Sequence, residues 1–228
     1  MKAAQWIERL DVAIAKRSLL KHPFYQEWQA GTLSRPKLQL YAAQYYLHVE
    51  AFPAHLGELA DRSKGALRAI VLENLAEEED AAAPHPKLWR DFAAAVGVNE
   101  KTLRTIAPLR GIRRLLDTYW QICAEGSFAE AVAALYAYEA QVPEIATAKI
   151  DGLRHYYGVN AHEGLAYFEV HQTADKRHRA AWRRWLEKCQ DTSAGTPSKV
   201  DKEQVLQTAR RVLDALWGAL DSIQQVPC

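Results

Sequence analysis

From His162 to Gln190 the chain reads HEGLAYFEVHQTADKRHRAAWRRWLEKCQ. This stretch is long and continuous as a helix, with Phe168, Val170, Ala174, Ala181 and Trp182 as apolar company. Within it stand His171, Asp175 and His178. Each helical residue advances about 100° round the axis, so offsets of four and seven put all three side chains on one stripe. Two imidazoles and a carboxylate within two turns can face one point, as a metal ion requires. The alternative is a polar stripe facing water. Residue frequencies give this spacing a chance occurrence on the order of 3% over the chain. The apolar neighbours favour a packed helix and a metal.

Outward from this stretch, helical spacing of apolar residues recurs almost everywhere. Trp6, Leu10, Ile14 and Leu19 predict an opening helix, broken at His22-Pro23. Gly31 precedes a long helix with Ser34 as N-cap and Arg35-Pro36 in its first turn. That helix carries Leu38, Tyr41, Tyr45, His48 and Phe52, then meets Pro53, which should kink or divide it. Further helices are expected over Gly65 to Asp80, Lys87 to Val96, Leu109 to Ala124, and Ser127 to Tyr157 with an interruption at Pro143. A surface linker over residues 191–200 (DTSAGTPS from Asp191 to Ser198) leads to a last amphipathic helix from about Asp201 to Gln224. No run of alternating β-branched residues bounded by turns appears, and no internal repeat. The reading is all-α: one domain over residues 1–228, a bundle of about seven to nine helices.

Composition narrows the partners. The chain has 228 residues, 49% of them hydrophobic, and 29 Lys plus Arg against 28 Asp plus Glu, a net charge of +1. That is the balance of a globular protein, without the basic footprint of a nucleic-acid binder. The densest basic stretch, Lys176, Arg177, Arg179, Arg183 and Arg184, alternates with apolar residues and reads as a solvated helix face. Charges throughout Met1 to Leu20 leave no signal-peptide core, and no run of about 18 apolar residues predicts a membrane span. Cys123, Cys189 and Cys228 are odd in number and far apart, which fits neither a disulfide framework nor a zinc knot. A reducing cytoplasm is the expected compartment.

Two further signals carry chemistry. Glu78 and His85 are seven residues apart, one face if the helix continued. Pro84 and Pro86 bracket His85, however, so the helix should end or bend near Ala83, and Glu77 or Glu79 could serve instead. Glu139 sits in the apolar run Ala134 to Val142, where a buried carboxylate is expensive without a partner. A cation is one partner, which a glutamate can bridge to a second; a buried arginine is the other. Three carboxylates would offset most of the charge of two divalent ions, and mixed oxygen and imidazole donors suit iron or manganese with open positions for dioxygen. The chain contains no Glu-x-x-His, which argues against the ferritin-like di-iron pattern.

The run Leu20 to Trp28, with Tyr41 to His48 and Ala51-Phe-Pro53, resembles the heme-oxygenase-like helical proteins, which include thiaminase TenA and PqqC. A closer resemblance is to the branch of the chlamydial protein associating with death domains. It extends through Asn74 to Glu78, Ala133 to Glu139, and the His171, Asp175, His178 stripe, and covers nearly the whole chain. The resemblance implies a dimetal site and synthesis of para-aminobenzoate for folate, by consuming a tyrosine of the protein itself with dioxygen and an external reductant. It implies metal ligation by Glu78, His85, Glu139, His171, Asp175 and His178, with Tyr25 sacrificed and Lys149 as amino donor. Tyr41 and Tyr138 match tyrosines near the family's metal site. If one helix ran through, Lys149 would lie about 80° round from Glu139 and could face a nearby cavity. A homodimer is compatible with this type of domain. Other readings are a conventional dimetal oxygenase on a free small molecule, a metal-free hydrolase or oxidase of the TenA or PqqC kind, and a helical protein-interaction module.

Overall fold

The computed structural model describes residues 3–189 and 200–227. The helices are α1 (Ala3–Lys16), α2 (Pro23–Ala30), α3 (Arg35–Arg62), α4 (Gly65–Glu78), α5 (His85–Ala95), α6 (Glu100–Thr105), α7 (Arg110–Glu125), α8 (Phe128–Glu139), α9 (Val142–Tyr156), α10 (His162–Lys188) and α11 (Lys202–Gln224), with a 3-10 turn at Leu19–Lys21. No strand occurs among the described residues. The all-α expectation holds, and the described residues form eleven α-helices where seven to nine were expected. The excess comes from short, well-capped helices. In α2 the His22 side chain accepts from Phe24 N–H, Pro23 opens the helix, and Gly31 closes it at φ 70°. In α6 the Asn99 side chain accepts from Thr102 N–H. The linker expected over 191–200 lies, except for Val200, outside the described residues.

Of two expectations from proline, one is corrected in part and one holds. Pro53 does not divide α3, which runs unbroken for 28 residues. The cost of an interior proline, about 3 kcal/mol, is met by packing of α3 against α4, α5 and α7. The interruption expected at Pro143 is present, two to three residues upstream of it. The chain turns at Ala140 and Gln141, and Pro143 occupies the first turn of α9, where its missing N–H is harmless. Glu139 and Lys149 therefore sit on different helices, and the angular relation expected between them does not apply.

The helix that positions the site is α8. Ser127 and Glu130 form a reciprocal capping box at its start. From Ala131 to Glu139 every side chain is buried. Helices α10 and α11 cover it, and its last residue is a carboxylate in the interior. Helix α10 packs in turn on α5, α8 and α9, so its inward stripe faces elements from three parts of the chain.

Candidate metal centre

His171, Asp175 and His178 lie on the inward stripe of α10 and are buried. His171 Nδ1 lies 2.6 Å from the carbonyl of Tyr167 one turn earlier. A carbonyl only accepts, so the proton sits on Nδ1 and the Nε2 lone pair is free. Glu78 is the last residue of α4 and His85 the first of α5, so the pair meets across a helix–helix junction rather than along one helix. Of the three neighbouring acids, Glu78 is the buried one; Glu77 is half-buried and Glu79 exposed.

These residues form two groups. Glu78, His85 and His171 bring one donor atom each within 4.8 Å of one another, as do Glu139, Asp175 and His178. Glu78 Oε2 lies 2.8 Å from His85 Nδ1, yet that nitrogen has no hydrogen-bond partner because the approach is off its N–H direction. The His85 and His171 rings are 4.5 Å apart. Asp175 Oδ2 and His178 Nε2 also lack hydrogen-bond partners. Buried polar atoms without partners are costly, and a cation would satisfy them; without one, His178 lies 3.3 Å from Glu77 and 3.7–3.8 Å from Glu139 and Asp175. All six residues expected as ligands thus come together, and their donor set fits two divalent ions such as iron or manganese.

The surroundings hold Glu139 in place. Its carboxylate accepts from Asn74 Nδ2 at 3.0 Å and from Trp182 Nε1 at 2.7 Å. Its partners are thus an amide and an indole, with His178 Nδ1 at 3.7 Å, and no arginine is among them. Burial nonetheless raises the Glu139 carboxyl to about 8, with His178 opposing. Burial likewise raises Asp175 to about 6. Burial works against His178, but the carboxylates of Asp175, Glu139 and Glu77 outweigh it and lift the imidazole to about 9. Both carboxyls thus lie above the usual carboxylate range, which a cation beside them would lower.

Beside this centre stands a phenol cluster. Tyr25 and Tyr41 hydroxyls are 3.2 Å apart, and Lys149 Nζ donates to Tyr41 at 2.6 Å. Tyr45 donates to Tyr138 at 3.1 Å. Burial raises the Tyr25, Tyr41, Tyr45 and Tyr138 hydroxyls above their usual range, so all remain phenols, and lowers Lys149 to about 7. A cavity of about 20 Å³ is lined by Tyr25, Tyr45, Tyr138, Lys149, Tyr167 and His171, among others. A second, of about 10 Å³, is lined by Glu78, Glu139, His171, Asp175, Tyr138 and Tyr167, among others. Tyr138, Tyr167 and His171 belong to both, so they form the wall between phenols and carboxylates.

Several residues of the site escaped sequence reasoning as participants. Asn74 and Trp182 hold Glu139, yet read in sequence as a motif filler and as helix packing. Tyr45 read only as part of an aromatic helix, and Tyr167 was not singled out. A polar residue within an apolar helical run, as Asn74 is, was the one available signal.

The architecture is that of the heme-oxygenase-like helical proteins. A TenA homologue from Pseudomonas syringae superposes with a TM-score of 0.82 at 19% identity, over 99% of this chain and 96% of that one. A CADD-like protein of unknown function from Nostoc punctiforme gives 0.77 at 16% identity, over 98% and 97%. At that identity the likeness is one of fold. The chain belongs to the family of iron-containing redox enzymes, which matches residues 39–217. Among its relatives are a 4-aminobenzoate synthase of Chlamydia pneumoniae, 40% identical over 95% of this chain and 94% of that one, and a 4-aminobenzoate synthase of Nitrosomonas europaea, 38% identical over 97% and 92%. No helix among the described residues is long and apolar enough to cross a membrane.

Proposed function

We propose that this chain makes 4-aminobenzoate, with the ring taken from Tyr25 and the amino nitrogen from Lys149. Glu78, His85 and His171 would hold one metal ion and Glu139, Asp175 and His178 another. Two iron or manganese ions would supply one-electron chemistry toward dioxygen, with an external reductant completing the count.

The observation that carries the reading is the size of the internal space. A cavity that admits benzene measures about 150 Å³, and one water needs about 10–15 Å³. The cavity beside Tyr25 is about 20 Å³, far smaller than a benzene site, which favours a ring the chain already owns over a free aromatic substrate.

The chain's own residues then have separable tasks. Tyr41 bonds both Tyr25 and Lys149 and holds the phenol and the amine on either side of its oxygen. Burial lowers Lys149 to about 7, so near neutral pH a large share of it is an uncharged amine with a usable lone pair. Its Nζ lies 5.5 Å from the Tyr25 ring centre. Tyr138 stands between the phenol cluster and the carboxylates, positioned to pass oxidising equivalents from one to the other. In the overall change the Tyr25 Cα–Cβ bond breaks, dioxygen oxidises Cβ to the carboxyl carbon, the Lys149 Cε–Nζ bond breaks, and the nitrogen replaces the phenolic oxygen, which leaves as water.

The test is isotopic. Protein containing ring-labelled tyrosine and side-chain-labelled lysine, given iron, manganese, dioxygen and reductant, should release doubly labelled product and lose the Tyr25 side-chain mass. Continued 4-aminobenzoate formation by Tyr25→Phe, or turnover beyond one per chain on an added substrate, would favour a conventional oxygenase.

A further inference from the structure

On the far side of the ligand cavity from Tyr25, buried polar atoms without hydrogen-bond partners cluster a second time, beginning at His48, which lines that cavity. They are both ring nitrogens of His48, Nδ1 of His55 and the hydroxyl of Tyr119. Each such group costs about 1–3 kcal/mol, and a redox or catalytic role is among the reasons one persists.

The same residues form an unbroken series of rings. Tyr138 lines the cavity beside the candidate ligands. Its ring centre is 6.1 Å from that of Tyr119, which is fully buried. Tyr119 stacks on His55 at 6.0 Å with 10° between planes. His55 meets Trp120 edge-on at 6.2 Å. Trp120 is 45% exposed, and it is also the chain neighbour of Tyr119. An exposed indole is easily oxidised by one electron, and here it is joined ring by ring to the interior.

We propose that Trp120, His55 and Tyr119 conduct electrons from a one-electron reductant at the surface to Tyr138. The proposal rests on the reading above for what the electrons serve, since that reading requires a reductant and names no route for it. Tyr138 gives one electron and its phenolic proton to dioxygen at the adjoining site, where the reduction consumes both. One electron then travels from the donor through Trp120 and Tyr119 to the Tyr138 phenoxyl, and one proton comes from water. The donor ends oxidised by one electron, and Tyr138 ends unchanged.

The test uses the full chain without metal, so that it does not depend on product formation. A Tyr156→Phe background removes the one exposed tyrosine among the described residues, 55% exposed, so that a tyrosyl signal reports the interior; Trp185 and Trp217 are the other partly exposed indoles and are present in parent and variant alike. Photogenerated tris(bipyridine)ruthenium(III) oxidises the surface, and freeze-quenched electron paramagnetic resonance with ring-deuterated tyrosine reads where the unpaired electron settles. The parent should give a tyrosyl signal, which Trp120→Leu loses and Trp120→Tyr restores. Tyr119→Phe should leave the unpaired electron on the indole. In the iron-loaded chain, reduction by methyl viologen radical should be slower in Trp120→Leu at unchanged metal content. An equal tyrosyl yield in Trp120→Leu and the parent overturns the proposal, whatever becomes of the isotopic test for 4-aminobenzoate.

Discussion

Replacing Lys149 by methionine should stabilise the metal-free protein, by an amount that shrinks as pH rises. Lys149 is buried and its ammonium is lowered from 10.5 to about 7 by loss of water. In the unfolded chain the amine keeps its proton up to about 10.5, so between pH 7 and 10.5 the unfolded state binds one more proton than the native state. Stability lost to this lysine is therefore greatest below pH 7 and is recovered through that window by about 1.4 kcal/mol per pH unit. The shift from 10.5 to about 7 corresponds to roughly 4–5 kcal/mol at pH 6, falling to about 2 kcal/mol at pH 9. Methionine also forfeits the 2.6 Å hydrogen bond to Tyr41, worth about 1 kcal/mol, so the expected gain is roughly 3–4 kcal/mol at pH 6 and about 1 kcal/mol at pH 9. Urea unfolding of both proteins across that range measures the difference, in which all other titrating groups cancel. The opposing force is visible: the rings of Tyr25, Tyr41, Tyr45, Trp89 and Phe168 surround Nζ at 5.1–5.5 Å, an arrangement that attracts a cation. A difference that does not vary with pH, or a less stable variant at pH 6, would show that these rings keep the ammonium charged, and the neutral-amine argument would fail.

Elemental analysis of protein expressed with iron and manganese should find two metal ions per chain, and His171→Ala should lose at least one of them. Trp182→Phe removes the indole donor from Glu139; metal affinity should fall by about 10–100-fold in a competition titration, with unfolding easier by about 1–3 kcal/mol. Gly152→Ala would place a methyl 2.5 Å from Trp28 Cδ1, and urea unfolding should show a loss of about 1–3 kcal/mol as α2 is pushed off α9.

Legibility in the sequence followed how local each constraint was. The α10 stripe was readable because one helical period decides where three side chains point. The helical class was readable because apolar periodicity recurs throughout, whereas the short helices α2 and α6 rest on caps such as His22 and Asn99 that periodicity does not register. Glu139 announced itself by its apolar company, but its partners Asn74 and Trp182 come from α4 and α10 and appear only when those helices meet. His85 looked misaligned because its relation to Glu78 was sought along one helix. The structure starts a new helix at His85 and closes the pair across a junction. Lys149 shows the converse: its burial beside Tyr41 arises from the packing of α9 on α2 and α10, after the chain has turned at Gln141.

Tyr25 is only 3% exposed, on a helix of eight residues whose ring neighbours include Phe24, Trp28 and Tyr41. Were its side chain excised, the chain would have turned itself into a large-to-small core mutant, a change that typically costs about 3–5 kcal/mol. Departure of the ring would also demand that α2 swing aside, so release would be paced by local unfolding rather than by bond chemistry. Used molecules would then be looser than fresh ones, and a protease could tell the two apart.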